Sequence, residues 1–513
     1  MFLDDMASAP ATRLIAGSVS LLVLYLLSRA VYNVFLHPLR SYPGPKLWAA
    51  SRLPWVLTSL RGELAWSLLA LHEQYGPVVR IAPDELSYTG TGDAWKKIYG
   101  RRGADEFPKC LDGRAIAGPN VRKAAADGII SAPHEKHARL RRAVAPAFSE
   151  RALREQEGFL QLYTGKLMAQ LRRCCRAVDK EDDGSGPQDM MRWFNLFTFD
   201  VMSDLAFGQA VGCLDNADQP WLQILGARTK SIVWYQVLIY YGLDRWAVLL
   251  TPKSMMEARQ KHVAMTTSKV TRRIQQSNQD RKDFISYILQ NKGEETLTNR
   301  ELVMMASSFI VAGSGTSASA LAGITFLLCR NPDKYQKLCD EIRTAFASEA
   351  DITLESTSRL GYLKAAIEEG LRLYPPSPST FPRFVQGKGE EIEGKWVPGG
   401  TAVGVHQFSA GRSSLNFKDA KAFIPERWLP PPESSEYAND IRAAVQPFSY
   451  GPRNCIGVNM AYAEMRVLLA HLLWNFDVEL TDGTSRWIDE QKTWLVWHKI
   501  PMMMNLKSIQ NLS

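Results

Sequence analysis

One unbroken apolar stretch in the middle of the chain limits its possible folds more than any other feature. Thr298-Asn299-Arg300-Glu301 has the form of a capping box, in which a threonine hydroxyl and a glutamate carboxylate satisfy each other's orphan amides at a helix start. The helix it opens runs through Leu302, Phe309, Ile310, Leu321 and Phe326 and stops at Asn331-Pro332, where proline cannot continue it. A globular helix averages ~11–12 residues. This one is far longer, so it must cross the whole body of the protein, buried on most sides. Gly313 and Gly315 lie in its middle, within Ala312-Gly313-Ser314-Gly315-Thr316-Ser317. A mid-helix glycine costs about 1 kcal/mol relative to alanine, so close approach of something bulky is expected at both.

A second feature stands near the C-terminus, Phe448-Ser449-Tyr450-Gly451-Pro452-Arg453-Asn454-Cys455-Ile456-Gly457. Glycines bracket a cysteine just ahead of a helix expected over Met460 to Leu473. Backbone amides and the dipole at a helix N-terminus stabilise a thiolate. A thiolate can ligate haem iron, and Arg453 is placed to reach a carboxylate such as a haem propionate. Each feature alone is weak.

Jointly they resemble the haem-binding loop FxxGxRxCxG of the cytochrome P450 family at every fixed position. Three further segments agree in order and rough spacing. Glu369-Gly370-Leu371-Arg372 looks like the family's ExxR, and Pro425-Glu426-Arg427-Trp428 like its PERF/PERW element. An isolated Glu and Arg at i, i+3 is ordinarily a surface pair worth a few tenths of a kcal/mol. Beside the cysteine loop, the resemblance implies instead a buried network of Glu369, Arg372 and Arg427. His137 and Arg141, one helical turn apart, resemble the family's W/HxxxR propionate contact, although lone basic residues on a helix are usually a solvated face. Arg383 is a further candidate propionate partner. Fine detail such as His37-Pro38-Leu39, Phe199-Asp200-Val201-Met202-Ser203 and Val405-His406-Gln407 looks like the microsomal enzymes of filamentous-fungal secondary metabolism.

The resemblance implies a mainly α fold with a small β portion, in the cytochrome P450 architecture. Short strands are expected near Val78 to Ile81 and Trp396 to Val405, and a polar surface loop at Asp179 to Gln188. It further implies haem b held by Cys455 as the iron ligand, with Arg453, His137, Arg141, Arg383, Phe448 and Gly457 around it. Thr316 is the implied catalytic residue, its hydroxyl organising water for proton delivery. Ala312, Ser377, Thr380 and Phe381 are the implied pocket wall. One position departs from the family: Gly315 stands where it carries an acid before the threonine, which puts the proton relay in doubt.

The N-terminus adds a membrane signal. Leu14 to Ser28 carries no charge, and apolar residues resume through Leu36, together approaching the ~20 needed to span a bilayer. A cleaved signal peptide also suits such a run, but no small-residue cleavage site follows through Tyr32 to Arg40. Arg29, Arg40, Lys46 and Arg52 follow the helix, while Arg13 precedes it beside Asp4 and Asp5, so the body is expected on the cytosolic side. The expected organisation is an anchor over 1–36, a proline-rich hinge over 37–46 containing Tyr42-Pro43-Gly44-Pro45, and a catalytic domain over 47–513. For a microsomal enzyme this means a single-pass protein of the endoplasmic reticulum.

Charge and cysteines exclude several other classes. The 61 Lys and Arg against 53 Asp and Glu give +8, spread without a run of like charges, so nucleic acid is not expected as a partner. An acidic protein partner or an anionic membrane surface stays open. Seven cysteines with no CxxC pair indicate neither a disulfide framework nor a zinc ribbon, and all but Cys455 read as small buried residues. Gly90-Thr91-Gly92 lacks the third glycine of a dinucleotide fingerprint, and no phosphate-binding GxxxxGK[ST] occurs. Electrons are therefore expected from NADPH through a separate protein, NADPH-cytochrome P450 reductase. The expected reaction inserts one oxygen atom from O2 into a hydrophobic small molecule such as a terpenoid, polyketide or alkaloid intermediate. A reductase-independent isomerase or dehydratase and a non-catalytic haem sensor stand as rivals. Trp234, Tyr235, Tyr240, Tyr241 and Trp246 form an aromatic stretch that suits the core, an entrance wall or a membrane contact.

Overall fold

The helix opened by Thr298 organises everything around it. In the computed structural model, which describes residues 4–101, 103–109, 128–178, 186–216, 220–243, 246–276, 281–290, 297–430 and 436–509, it spans Asn299–Cys329. Thr298 Oγ1 accepts from the Glu301 amide at 3.2 Å, and Glu301 Oε2 accepts from the Thr298 amide at 3.0 Å, completing the capping box. Its second half is buried from Ser317 to Leu328. The Met190–Phe207 helix packs along it, with Thr198 Oγ1 donating to Ser314 O at 2.8 Å. The helices Lys253–Gln275, Gly361–Leu373 and Val458–Asn475 cover its other sides. Cys110 and residues 179–185 of the expected polar loop lie outside the described residues, and Gln188 already belongs to a short strand.

The β portion is small. A four-stranded sheet has the order Val78–Ala82, Glu85–Tyr88, Ala402–Val405, Arg383–Phe384, its middle pair parallel and the outer pairs antiparallel. The region of Trp396 to Val405, where short strands are expected, holds two. Lys395–Pro398 forms a hairpin with Gly389–Ile392, and Ala402–Val405 joins the larger sheet. The division is local chemistry: Pro398 has no amide to continue a ladder, and Gly400 turns the chain at φ +79°.

At the other end, Asp4–Val31 is helical and continues through a further turn at Tyr32–Leu36. The stretch Arg13–Leu36 is 24 residues long with mean hydropathy 1.9 and no part of its most apolar window buried, so it is a candidate membrane span. The central helix is also long and apolar enough, but 67% of its window is buried inside the body, as a core helix requires. The segment expected as a hinge is fastened to that body. Leu39 and Tyr42 are buried, Tyr42 Oη donates to Trp396 O at 2.8 Å, and the Arg80 amide donates to Pro43 O at 2.7 Å. A Cβ on Gly44 would stand 2.6 Å from Arg80 O, so only glycine lets the two backbones meet.

Candidate active site

The cysteine loop owes its shape to backbone positions that few residues tolerate. Ser449 and Gly451 both take positive φ, +61° and +76°, and a Cβ on Gly451 would lie 2.0 Å from Tyr99 O. The Cys455 amide donates to Phe448 O at 2.8 Å and the Asn454 amide to Gly451 O at 3.1 Å, closing the loop. The Val458–Asn475 helix starts three residues after the cysteine. Burial pushes the Cys455 thiol above its usual pKa, while the Gly457 amide and the Arg141 charge oppose that shift. The cysteine side chain is exposed although it lies among protein atoms that desolvate it. Phe448 packs against Tyr462 with ring centroids 5.1 Å apart, and a Cβ on Gly457 would be 4.0 Å from the sulfur.

The central helix is uncovered near its middle. Ala312 is exposed and Thr316 half-buried within an otherwise covered helix. Thr316 Oγ1 donates to Ala312 O at 2.6 Å, which leaves its oxygen free to accept. The helix packs here against the Val458–Asn475 helix, which carries the buried Glu464 and follows the cysteine. Burial raises the Glu464 carboxyl to about 7.

The basic residues named from sequence converge. Arg453 pairs with Glu106 and donates to Ala132 O at 2.8 Å, and Arg383 lies 3.8 Å from the same carboxylate. Arg141 reaches Asn454 O and Asn454 Oδ1, both at 2.7 Å. Desolvation, followed by the charges of Arg453, Lys109, Arg141 and Arg383, lowers His137 to about 3, so it is neutral at physiological pH. Burial drives Lys109 well below its ordinary value, with Arg383 and Arg453 adding to the shift. Sequence reasoning missed Lys109 and Glu106. Neither stands at a telling spacing, and Lys109 arrives through a backbone bridge to Arg383.

Behind this cluster Glu369, Arg372 and Arg427 meet, all fully buried. Arg372 Nε and Nη2 donate to the Glu369 carboxylate at 2.7 and 2.6 Å, and Arg427 Nε at 3.1 Å. Trp428 Nε1 and the Ile424 amide add two donors at 2.8 Å each, and Asp440 pairs with the far end of Arg427. Asp440 lies beyond the motif, where no spacing points to it.

The expected pocket wall is only partly assembled. Thr380 and Phe381 line a cavity of ≈ 120 Å³ with Ile232, Val233, Gln236 and Leu495. That cavity borders neither Cys455 nor Thr316. Thr380 Oγ1 donates to Val405 O at 2.7 Å. Ser377 is not among the residues that line it, and its hydroxyl donates to Ser379 O at 2.9 Å. The aromatic stretch divides: Tyr240 packs edge-on against Trp55 at 5.2 Å, while Tyr241 and Trp246 are 51% and 48% exposed.

Gly313 and Gly315 differ, which corrects the expectation that both are crowded. A Cβ on Gly313 would meet Met202 at 2.5 Å, whereas one on Gly315 would meet only the tip of Lys499, with Nζ at 3.4 Å.

A haem suits these residues on their own chemistry. The thiol is exposed, and four basic residues, Lys109, Arg141, Arg383 and Arg453, gather around His137, a set suited to two propionates. Comparison with known proteins agrees. The family model for cytochrome P450 matches residues 42–506. The chain is 51% identical over 510 residues to the cytochrome P450 monooxygenase alt3 of Alternaria solani, covering 99% of this chain and 97% of that protein. It is 47% identical over 494 residues to alt1 of the same organism, covering 94% and 92%. It is 40% identical over 497 residues to averantin hydroxylase of Dothistroma septosporum, covering 96% and 91%. Site geometry and relatives agree, and the chain belongs to the cytochrome P450 family of monooxygenases.

Proposed function

We propose that this monooxygenase inserts one oxygen atom from O2 into a hydrophobic intermediate of fungal secondary metabolism, with Cys455 as the ligand to its haem iron. The observation that carries the reading is the exposed Cys455 side chain beside the gathered basic residues Lys109, Arg141, Arg383 and Arg453. A haem bound through thiolate supplies the O2 activation, which the sulfur's electron donation favours. Arg453, Arg141, Arg383 and Lys109 hold the propionates, and neutral His137 donates a hydrogen bond without adding charge. Phe448 and Gly457 flank the sulfur and keep bulk water from it. Thr316 holds the water that delivers protons, and Ala312, Thr380 and Phe381 guide the substrate. Averantin hydroxylase and alt3 among the relatives support a hydroxylation on a secondary-metabolite scaffold.

Residues 1–36 anchor the protein in the endoplasmic reticulum membrane, and residues 37–46 join the anchor to a cytosolic catalytic domain over 47–513. The basic residues after the span support that orientation. Electrons come from NADPH through NADPH-cytochrome P450 reductase, an acidic flavoprotein that the net charge of +8 suits. The test is the spectrum of the reduced protein under CO. The red-shifted thiolate band is expected in the wild type and absent in Cys455→Ala, and turnover is expected to require both NADPH and reductase. Persistence of the band in Cys455→Ala removes Cys455 from the role, and turnover without reductase favours an isomerase or dehydratase.

A further inference from the structure

We propose that Lys499 is the specificity residue of this site, recognising an acidic oxygen, a carboxylate or ionised phenol, on the hydrophobic substrate. The inference rests on the monooxygenase reading above and adds a chemical class to its substrate.

Lys499 sits on a rigid support. Two residues earlier, Trp497 is buried, stacks on Tyr374 with centroids 5.0 Å apart and donates from Nε1 to Pro375 O at 2.7 Å. The His498 amide donates to Lys492 O at 2.7 Å, and the strand Met503–Ser508 follows. From this support the side chain reaches the central helix at Gly315. A Cβ there would lie 3.4 Å from Nζ and 3.9 Å from Cε, so the ammonium rests where the helix has no side chain, one residue before Thr316.

Its one described hydrogen-bond partner is neutral. Lys499 Nζ donates to Asn195 Oδ1, and Asn195 Nδ2 donates to Met191 O at 2.7 Å, which fixes the amide with its oxygen towards the lysine. Among the described residues no carboxylate pairs with Lys499. An ammonium carries three donors, so two remain for a ligand.

The setting differs from that of an ordinary surface lysine. The side chain is exposed, yet it lies so deep among protein atoms that desolvation lowers its pKa to about 8. At pH 7 it is still about ten to one in favour of the charged form. A charge held this deep without an opposite charge is costly, and an anionic oxygen placed beside it would relieve that cost. The exposed Ala312 nearby offers an apolar surface for the remainder of the molecule. A substrate anchored at Lys499 would therefore lie along the helix face that carries Ala312 and Thr316.

The experiment uses the full-length haem-loaded protein in detergent micelles, with 2-naphthoate and its methyl ester as probes. Binding is read from the Soret absorbance change and by calorimetry. Wild type is expected to bind 2-naphthoate at least tenfold more tightly than the ester. Lys499→Met is expected to lose that preference with ester binding unchanged, and Lys499→Arg to keep it. Gly315→Asp, which sets a carboxylate against the ammonium, should also erase it, and it decides the matter if Lys499→Met folds poorly. Absence of the preference in wild type, or its survival in Lys499→Met or Gly315→Asp, overturns the proposal. The reduced-CO band in each variant separates this failure from that of the haem-thiolate reading, since only the latter predicts the band.

Discussion

Glu369→Gln should be among the most damaging single-atom changes available to this protein. The carboxylate accepts from five donors: Arg372 Nε and Nη2, Arg427 Nε, Trp428 Nε1 and the Ile424 amide. Glutamine keeps the shape, removes the charge and turns an NH2 group towards guanidinium donors. Arg372 then has only the carbonyls of Gly411, Ala420 and Ala422, while Arg427 keeps Asp440. Removing one partner of a buried ion pair costs about 3–5 kcal/mol, and here a cation with no solvent access is left without an anion. Asp440→Asn removes one charge-assisted bond from Arg427 and leaves Glu369 in place, so its cost is about 1.5–3 kcal/mol. Urea-induced unfolding of the haem-loaded protein, followed by far-UV circular dichroism, compares the two. A Glu369→Gln variant as stable as wild type, or more stable than Asp440→Asn, would refute the view that Arg372 depends on Glu369 for its counter-charge.

Deleting residues 1–36 should move the protein from membranes to the soluble fraction with its haem spectrum intact, as flotation and absorbance would show. Loss of haem binding would instead mean that the Asn33 contact to Ala50 O at 2.8 Å is needed by the body. Two glycines of the central helix should respond in opposite directions. Gly323→Ala places a Cβ 2.2 Å from the buried Tyr374 ring and should destabilise by about 1–3 kcal/mol, whereas Gly315→Ala meets only a flexible lysine tip and should stabilise by up to about 1 kcal/mol. Thermal midpoints that move together would contradict the packing described.

What could be read from sequence was what depends on neighbours along the chain. The central helix was legible at both ends because a capping box and a proline act within a turn of where they stand. The cysteine loop was legible because ten consecutive residues hold its glycines, its arginine and its thiol. Hidden features depend on residues far apart in sequence. Lys109 joins the basic cluster through a bridge to Arg383, and Asp440 joins the network through Arg427. Short strands near Trp396 to Val405 were legible, but not that they pair with different partners on either side of Pro398-Gly399-Gly400. Gly315 was misread for a similar reason. A glycine shows that a Cβ is absent but not what fills the space, and that proved to be a lysine from the C-terminal segment. Gly323, whose space an aromatic ring does fill, gave no sign within the Ala-rich run around it.

The remaining prediction concerns Thr316, whose hydroxyl proton is committed to Ala312 O at 2.6 Å. With that proton engaged, the residue serves the cavity as an acceptor, holding a water molecule by its hydrogen and leaving that water's second hydrogen available for transfer. Thr316→Ser keeps this arrangement. Thr316→Ala removes the acceptor but leaves room for a second water, and Thr316→Val removes the acceptor and fills the room with a methyl group. Haem content and the reduced-CO band should be equal in all three, because the side chain has no part in binding the group. Product formed per NADPH should fall in the order serine, alanine, valine, with hydrogen peroxide rising in step. A positioned proton donor contributes roughly 10²–10⁴-fold to a rate, so the loss should be large where no water can substitute. The alanine and valine variants should differ because one admits water and the other does not, which a general disturbance of the helix would not produce. Coupling equal to wild type in the valine variant would show that proton delivery bypasses Thr316, leaving a group on the substrate as its source.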